Sequence, residues 1–344
     1  MGTVLAFRRL GNVSRVRRVR ATIALALASV LGIGIAATAV AAVPSRSFDT
    51  NNDGKVDITI YDTDGDGYFE WPAGTRTLPG QLNFTETDRI AFSGTTTIQV
   101  TQGVFYAAGA QLVTRPGAPL QKLVIVANGG DFGGRGLLDL TATGDVIITA
   151  KNHLFLYGTT HVTTPGTIAL TSKNDEVGVG QLTLDDYAPG AFALLAGKAL
   201  NMLAMGNYSS VSADFVRLGS RVINLTAQTS STQGGSRYMD FSNGAVVTTN
   251  PARTGLSGTA GNIPFNQQRA YIGVESGAVV DSAQNVVFKD QSGGALFVCE
   301  ATVEAGNGNG VIDTRYVSGG VVRDASSTIS GTVLGMSFTV IPGC

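Results

Sequence analysis

The chain has 344 residues, a formal net charge of −1, only 14% charged residues and 45 glycines. A composition this poor in charge and rich in glycine argues against long amphipathic helices, which need more Glu, Lys and Leu. The charge balance also argues against nucleic acid as a partner, because that interaction depends on an excess of Lys and Arg.

Residues 1–41 have the parts of a secretory signal peptide. Six arginines precede the apolar run ATIALALASVLGIGIAATAVAA. Ala39 and Ala41 then occupy the −3 and −1 positions of an A-x-A cleavage site. The run is also long enough to serve as an uncleaved anchor. We therefore expect an exported bacterial protein that is secreted, exposed at the cell surface or periplasmic. Removing residues 1–41 changes its formal charge from −1 to −7, because all six charges there are positive.

Two loops within residues 47–74, DTNNDGKVD and DTDGDGYFE, share one spacing of oxygen-bearing side chains. Oxygens occupy alternate positions, a glycine follows at the sixth position and an acid at the ninth. A short peptide wraps a hard cation in this way, and the glycine allows the sharp turn. Two further residues, Lys55 and Tyr68, would contribute backbone carbonyls. The predicted ligands are Asp49, Asn51, Asp53, Lys55 and Asp57 in the first loop, and Asp62, Asp64, Asp66, Tyr68 and Glu70 in the second.

These loops resemble the D-x-[DN]-x-D-G calcium loops of EF-hands, dockerins and thrombospondin type 3 repeats. They lack the bidentate Glu that an EF-hand carries at the twelfth position, where Ile60 and Ala73 stand instead. The resemblance implies weak calcium sites of the extracellular kind, with dissociation constants of about 0.1 to 1 mM. Calcium would fold the loops into a cap over the domain that follows. The alternative interpretation is a solvated acidic linker.

From about residue 85, short runs of β-branched and apolar residues alternate with Gly, Asn and Pro-Gly turns. Segments beginning at Leu123, Val146 and Ile168 align at a spacing of about 22 residues. The alignment predicts three inward-facing apolar columns: Val124, Val146 and Ile168; Val126, Ile148 and Leu170; and Leu140, Val162 and Leu184.

A period in the low twenties with two or three short strands is typical of a β-solenoid. We predict an all-β parallel β-helix of about eleven coils over residues 85–344, preceded by the calcium-loop segment at residues 47–74. A β-sandwich or jelly roll is the alternative, because it also uses closely spaced short strands. The pattern resembles the right-handed parallel β-helices of secreted, pectin-lyase-like carbohydrate-active enzymes and adhesins.

The same spacing predicts neighbours on adjacent coils. His153 would lie between Asp131 and Asp175, and His161 beside Asp139 and in line with Thr183. An Asp beside a His can act with it as an acid/base pair. The catalytic candidates are Asp131, His153, Asp175 and Arg135, the last as the base of a lyase. The alternative interpretation is a polar outer face with compatible charges.

Catalytic signatures are absent from the sequence. It contains neither the motifs of the pectin hydrolases, nor a Gly-x-Ser-x-Gly elbow, nor a zinc-ligand spacing. The two cysteines, Cys299 and Cys344, predict a disulfide in an exported protein, with two free thiols as the alternative.

The sequence therefore predicts a calcium-stabilised solenoid that acts in structure, adhesion or polysaccharide binding without catalysis. Its partners would be calcium, a polysaccharide or cell-surface matrix, and further copies of itself. The alternative function is a polysaccharide lyase or glycoside hydrolase that acts on an acidic glycan along the solenoid face.

Overall fold

The computed structural model describes residues 42–180, 191–206, 208–228, 238–267, 271–290 and 293–343. The predicted signal peptide, residues 1–41, lies outside the described part, so export and cleavage stay predictions. Residues 43–344 form one structural unit.

This unit is a β-solenoid of about ten turns, with 57% strand and 3% helix. The prediction of an all-β parallel solenoid is therefore confirmed. The β-sandwich alternative is wrong, because strands of consecutive coils pair in parallel to form three sheets that run the length of the described stack. Strands β3 to β35 form eleven successive sets of three, one strand per sheet.

Thirteen strands form the first sheet. In stacking order they are β1 (Ser45–Phe48), β2 (Ile58–Tyr61), β3 (Phe69–Trp71), β6 (Arg89–Phe92), β9 (Gln111–Thr114), β12 (Leu137–Thr141), β15 (Thr160–Thr164), β18 (Leu194–Ala196), β21 (Arg217–Ser220), β24 (Val246–Thr248), β27 (Val279–Ser282), β30 (Thr302–Ala305) and β33 (Thr328–Ser330).

Eleven strands form the second sheet: β4 (Gly74–Leu78), β7 (Gly94–Val100), β10 (Leu120–Ala127), β13 (Val146–Ala150), β16 (Thr167–Ser172), β19 (Ala199–Met205), β22 (Ile223–Gln228), β25 (Ile263–Gln267), β28 (Val286–Asp290), β31 (Val311–Tyr316) and β34 (Thr332–Leu334).

The third sheet also has eleven strands: β5 (Leu82–Phe84), β8 (Val104–Tyr106), β11 (Phe132–Gly134), β14 (Leu154–Leu156), β17 (Val177–Gly180), β20 (Ser210–Asp214), β23 (Tyr238–Ser242), β26 (Tyr271–Glu275), β29 (Ala295–Cys299), β32 (Val321–Asp324) and β35 (Thr339–Ile341). A one-turn helix, α1 (Pro251–Thr254), and a 3₁₀ turn (Gly306–Gly308) are the helical elements of the described residues.

The core consists of apolar columns that run through the stack. Strand β10 buries Leu123, Ile125 and Ala127, because alternate side chains of a strand point to opposite faces. Leu123 pairs with Val146, and Val146 pairs with Ile168. Each coil therefore covers the apolar face of the next one.

Two predicted columns are wrong by one residue on β10. The step from Leu123 to Val146 is 23 residues long, so Val124 and Val126 lie on the outward side of the strand. In the third predicted column Leu140 does pair with Val162, but Val162 then pairs with Leu194. Leu184 lies outside the described residues.

An antiparallel hairpin extends the first sheet at its start. β1 and β2 pair antiparallel, β2 and β3 pair antiparallel, and β3 then pairs in parallel with β6 of the next coil. The two predicted calcium loops are the β1–β2 and β2–β3 connections. The first strand of the stack thus lies within residues 47–74, before the predicted start near residue 85.

Aromatic side chains fix this hairpin to the first coils. The rings of Phe48 and Phe84 meet edge to face with centroids 5.6 Å apart, and Trp71, only 1% exposed, contacts both. At the rim, Arg46 Nε lies 2.7 Å from Oδ1 of the buried Asp88. The hairpin therefore buries its apolar face against the first coils of the stack.

Candidate functional site

The β2–β3 loop gathers four carboxylates around one point. One oxygen from each of Asp62, Asp64, Asp66 and Glu70 lies within 4.8 Å of the others, so the group could hold a metal ion. The Gly67 N–H donates to Asp62 Oδ2 at 3.1 Å. Gly67 has a φ of +87°, a left-handed conformation that favours glycine and allows the loop to turn back on itself.

The β1–β2 loop has the same hydrogen-bond pattern. The Gly54 N–H donates to Asp49 Oδ2 at 2.8 Å, and the Thr50 N–H and hydroxyl both donate to Asp57 Oδ2 at 2.6 Å. These bonds hold the pKa of the Asp57 carboxyl below its usual value, with the hydroxyl contributing most. Within the described part of the chain, only the second loop gathers at least three such ligand groups.

The remaining predicted ligands are held by the loop backbone. Asn51 Oδ1 and Asp49 Oδ1 both accept from the Asp53 N–H. The N–H groups of Lys55 and Tyr68 donate to Asp53 Oδ1 and Asp66 Oδ1, both at 2.8 Å.

A guanidinium lies against the second loop. Arg115 Nη2 is 2.9 Å from Asp64 Oδ2 and 3.2 Å from Glu70 Oε1. Its hydrogen bond to Asp64 lowers the pKa of that carboxyl. Arg115 therefore neutralises part of the charge that a metal ion would balance, and a bound cation would have to share these oxygens with it.

The structure brings together three of the four catalytic candidates. His153 Nδ1 lies 3.3 Å from Asp131 Oδ1, and its Nε2 lies 3.1 Å from Asp175 Oδ2. Burial raises the pKa of the Asp175 carboxyl, against the opposing effect of His153. Arg135 stands apart, since it follows β11 whereas Asp131 precedes that strand.

The second predicted His pair lies on the first sheet, where Asp139 and His161 are register neighbours on β12 and β15. The predicted third member of that column, Thr183, lies outside the described residues. The main-chain neighbour of Val162, one residue after His161, is Ala193, whose carbonyl accepts from the Val162 N–H.

The His153 cluster adjoins a larger feature, the outward side of the third sheet, called the third-sheet face below. One column of this face runs through nine coils in continuous register: Asn83, Phe105, Gly133, Phe155, Gly178, Ser212, Asp240, Gly273 and Phe297. The column alternates rings with small residues. A Cβ on Gly133 would lie 2.5 Å from the Phe155 ring, so glycine leaves the space that the ring occupies.

Aromatic rings lie beside this column. Phe155 and Tyr157 stack with centroids 5.4 Å apart. Tyr238 and Tyr271 stack at 5.9 Å, and Tyr271 meets Phe297 edge to face at 6.1 Å. These rings belong to four coils of the third sheet, so flat apolar surfaces are distributed along the direction of the stack.

Carboxylates lie among the rings. Burial, together with the negative charges of Glu275 and Asp214, raises the pKa of Asp240 to about 6. Asp240 Oδ1 is buried and has no hydrogen-bond partner among the described residues. Burial and the neighbouring Glu176 raise the pKa of Tyr157 to about 12. The face is therefore partly desolvated, and its acids raise one another's pKa.

Three cavities follow one another along the third-sheet face. The first, of about 590 Å³, includes Phe105 and Phe155 in its lining. The second, of about 330 Å³, is lined by Tyr157, Glu176, Val179, Gly180, Ser212, Ala213, Asp214, Tyr238, Asp240 and Ser242. The third, of about 400 Å³, includes Tyr271 and Phe297. The structure thus shows an extended, segmented groove whose middle section is acidic.

The sequence did not predict the acidic section. Its neighbours are separated by 34 residues between Gly178 and Ser212, 28 between Ser212 and Asp240, and 33 between Asp240 and Gly273. A 22-residue spacing cannot place these residues together. The available signal was the strand pair VGVG and SVSAD, whose alternation matches across the longer connection.

Comparisons with protein-family models, with curated proteins and with solved structures find no match to this chain. The resemblance to pectin-lyase-like proteins and to calcium-loop families therefore stays a prediction. None of the described helices has the length and apolar character needed to cross a membrane.

Proposed function

We propose that this protein is an exported β-solenoid that binds a polysaccharide along its third-sheet face, without catalysis, and that calcium in the N-terminal loops stabilises its first coils. The observation that carries this proposal is the row of three cavities on one face of the stack. A row of cavities along the stack suits a linear polymer better than a single small ligand, because each cavity can take a separate part of the chain.

The lining of the groove supports a sugar ligand. Stacked rings such as Tyr238 and Tyr271 offer flat apolar surfaces to the faces of pyranose rings. Carboxylates and hydroxyls such as Asp214 and Ser242 accept or donate the hydrogen bonds that sugar hydroxyls require.

The chemistry of the second loop supports calcium as its metal. The gathered ligands are all carboxylate oxygens, which hard divalent cations prefer over nitrogen or sulfur ligands. Without a cation, repulsion among these carboxylates opposes the closed loop. Calcium would thereby favour the hairpin that buries Phe48 against Phe84.

Binding to a panel of immobilised polysaccharides tests the proposal. We expect the protein to be retained on at least one polysaccharide, and Tyr238→Ala to reduce that affinity about tenfold, the loss of one good contact. The control is Tyr316→Ala, which removes a 49% exposed ring from the second sheet. Equal affinity of the wild type and Tyr238→Ala, or equal losses in both variants, contradicts the assignment to the third-sheet face.

A hydrolase is the second candidate, and one observation favours it. Asp240 remains partly protonated near pH 6, beside the charged Asp214, and a protonated and an ionised carboxyl are the two groups that a glycoside hydrolase uses. Release of reducing ends that Asp240→Asn abolishes would establish this function. Release of unsaturated products that His153→Ala abolishes would instead establish a lyase.

A further inference from the structure

The middle cavity of the third-sheet face combines negative charge with aromatic walls. Glu176, Asp214 and Asp240 all line it, together with Tyr157 and Tyr238. None of the described residues that line it is Lys, Arg or His. The negative charge of this section is therefore not balanced by a lining side chain.

We infer that the polymer bound along the third-sheet face is a polysaccharide that carries protonated amines, and that an ammonium group of the sugar occupies the middle cavity. This inference rests on the proposed polysaccharide-binding function. It names the charge of the ligand, which that function leaves open, and it differs from the acidic glycan that the sequence suggested for an enzyme.

An ammonium group would satisfy both features of the cavity. The Asp240 carboxylate lacks a hydrogen-bond partner for Oδ1, and a partly buried carboxylate is stabilised by a cationic hydrogen-bond donor. The tyrosine rings that line the cavity attract the same cation through their faces. A neutral sugar offers the stacking interaction alone, and a uronic acid adds like-charge repulsion.

The strand arrangement favours a polysaccharide over a basic peptide. Peptides commonly bind a β protein by adding a strand to a free sheet edge. Here β20 pairs with β17 and β23, and β23 pairs with β20 and β26. The backbone of this section is therefore already paired on both sides. What it offers to a ligand is side chains on a flat face, which suit rings better than an extended main chain.

Three hexasaccharides of matched length test the inference by calorimetry at pH 6.5 and low salt: glucosamine, N-acetylglucosamine and galacturonic acid oligomers. We expect the glucosamine hexamer to bind about tenfold tighter than the acetylated one, the equivalent of one charge-assisted hydrogen bond. The galacturonate hexamer should bind more weakly than either.

Two variants assign the charge preference to the cavity. Asp240→Asn with Glu176→Gln should lower the affinity for the glucosamine hexamer to that for the acetylated hexamer. Asp139→Asn, which removes an exposed carboxylate from the first sheet, should leave both affinities unchanged. Thermal melting confirms that each variant is folded.

The outcomes separate this inference from the proposed function. Equal or tighter binding of the acetylated or acidic hexamer overturns the inference and leaves polysaccharide binding standing. No binding of any polysaccharide, in this experiment and on the immobilised panel, overturns both. An oligolysine that binds as tightly as the glucosamine hexamer, and is weakened equally by the double substitution, also overturns it, since the cavity would then select cations of any kind.

Discussion

Tyr238 and Tyr271 lie on consecutive coils with ring centroids 5.9 Å apart and ring planes inclined by only 14°. Stacked pairs of this kind contribute about 0.5 to 1.5 kcal/mol beyond the burial of their area. A double-mutant cycle with Tyr238→Ala and Tyr271→Ala should therefore give a coupling free energy of that size in urea unfolding. The pair Tyr238→Ala and Phe297→Ala, whose coils are separated by that of Tyr271, should be additive. A coupling energy near zero for the first pair contradicts the stacking.

Calcium should raise the stability of the protein. With dissociation constants of about 0.1 to 1 mM, 10 mM calcium stabilises the folded state by about 1.4 to 2.7 kcal/mol per site. We expect a melting temperature several degrees higher in calcium than in EGTA, and a much smaller difference in Asp62→Asn. Asp139→Asn is the charge-matched control. Identical melting in EGTA and in 10 mM calcium would falsify the calcium proposal.

Removal of Arg115 should strengthen calcium binding. Its guanidinium contacts Asp64 and Glu70, two of the four gathered carboxylates. Arg115→Gln should therefore shift the calcium midpoint of the melting titration severalfold lower, while the calcium-free protein loses stability because the carboxylates repel one another. A higher calcium midpoint in the variant would indicate that Arg115 helps to assemble the loop.

Asp240 should make stability depend on pH. Its folded pKa of about 6 exceeds the value of about 3.9 in an unfolded chain. Between those two values the folded state binds more protons, so this group stabilises the fold below pH 4 and loses that contribution as the pH rises through 6.

The variant Asp240→Asn removes this titration. The melting temperature of the variant relative to wild type should be higher at pH 7.5 than at pH 4. The groups that raise the pKa, Glu275 and Asp214, stay in place in both proteins. A difference that is constant with pH contradicts the assignment.

The hairpin junction should be sensitive to the loss of an aromatic residue. Trp71 is 1% exposed and contacts Phe48, Phe84 and Phe92. Trp71→Ala should cost about 3 to 5 kcal/mol in the free energy of unfolding. The 58% exposed Val56, changed to Ala, should alter it by less than about 0.5 kcal/mol. A cost below about 1 kcal/mol for Trp71→Ala would indicate that the hairpin does not unfold together with the coils.

The predicted disulfide also has a direct test. Cys299 lines the third cavity together with Gly343, whereas Cys344 lies outside the described residues. Alkylation of the unreduced protein should modify neither cysteine, and reduction should expose both. Because the bond would close a loop of about 45 residues, reduction should cost about 4 kcal/mol of stability. Alkylation of both cysteines before reduction contradicts the pairing.

Sequence periodicity was sufficient for the architecture and for the neighbours of His153. Strand alternation and a period near 22 place Asp131 and His153 on adjacent coils, since Phe132 pairs with Leu154 at that spacing. Periodicity failed where a corner absorbed one more residue. Val124 and Ile125 are both β-branched, so the sequence alone could not decide which of them faces inward.

The acidic section of the third-sheet face illustrates a second limit. Its coils are 28 to 34 residues long, because connections at the surface can lengthen without disturbing the register of the strands. Tyr238 and Asp240 are far from His153 in sequence and have no shared motif with it. Only the pairing of complete coils brings them onto one face.

The one-dimensional order of the stack has a consequence for how its parts influence one another. Each coil touches only the coils before and after it, and β3 and β23 are six coils apart, about 29 Å at the spacing of paired strands. Free-energy changes at the two places should be independent. Loss of calcium would fray the stack from its first coils, while the distant groove keeps its shape and its affinity.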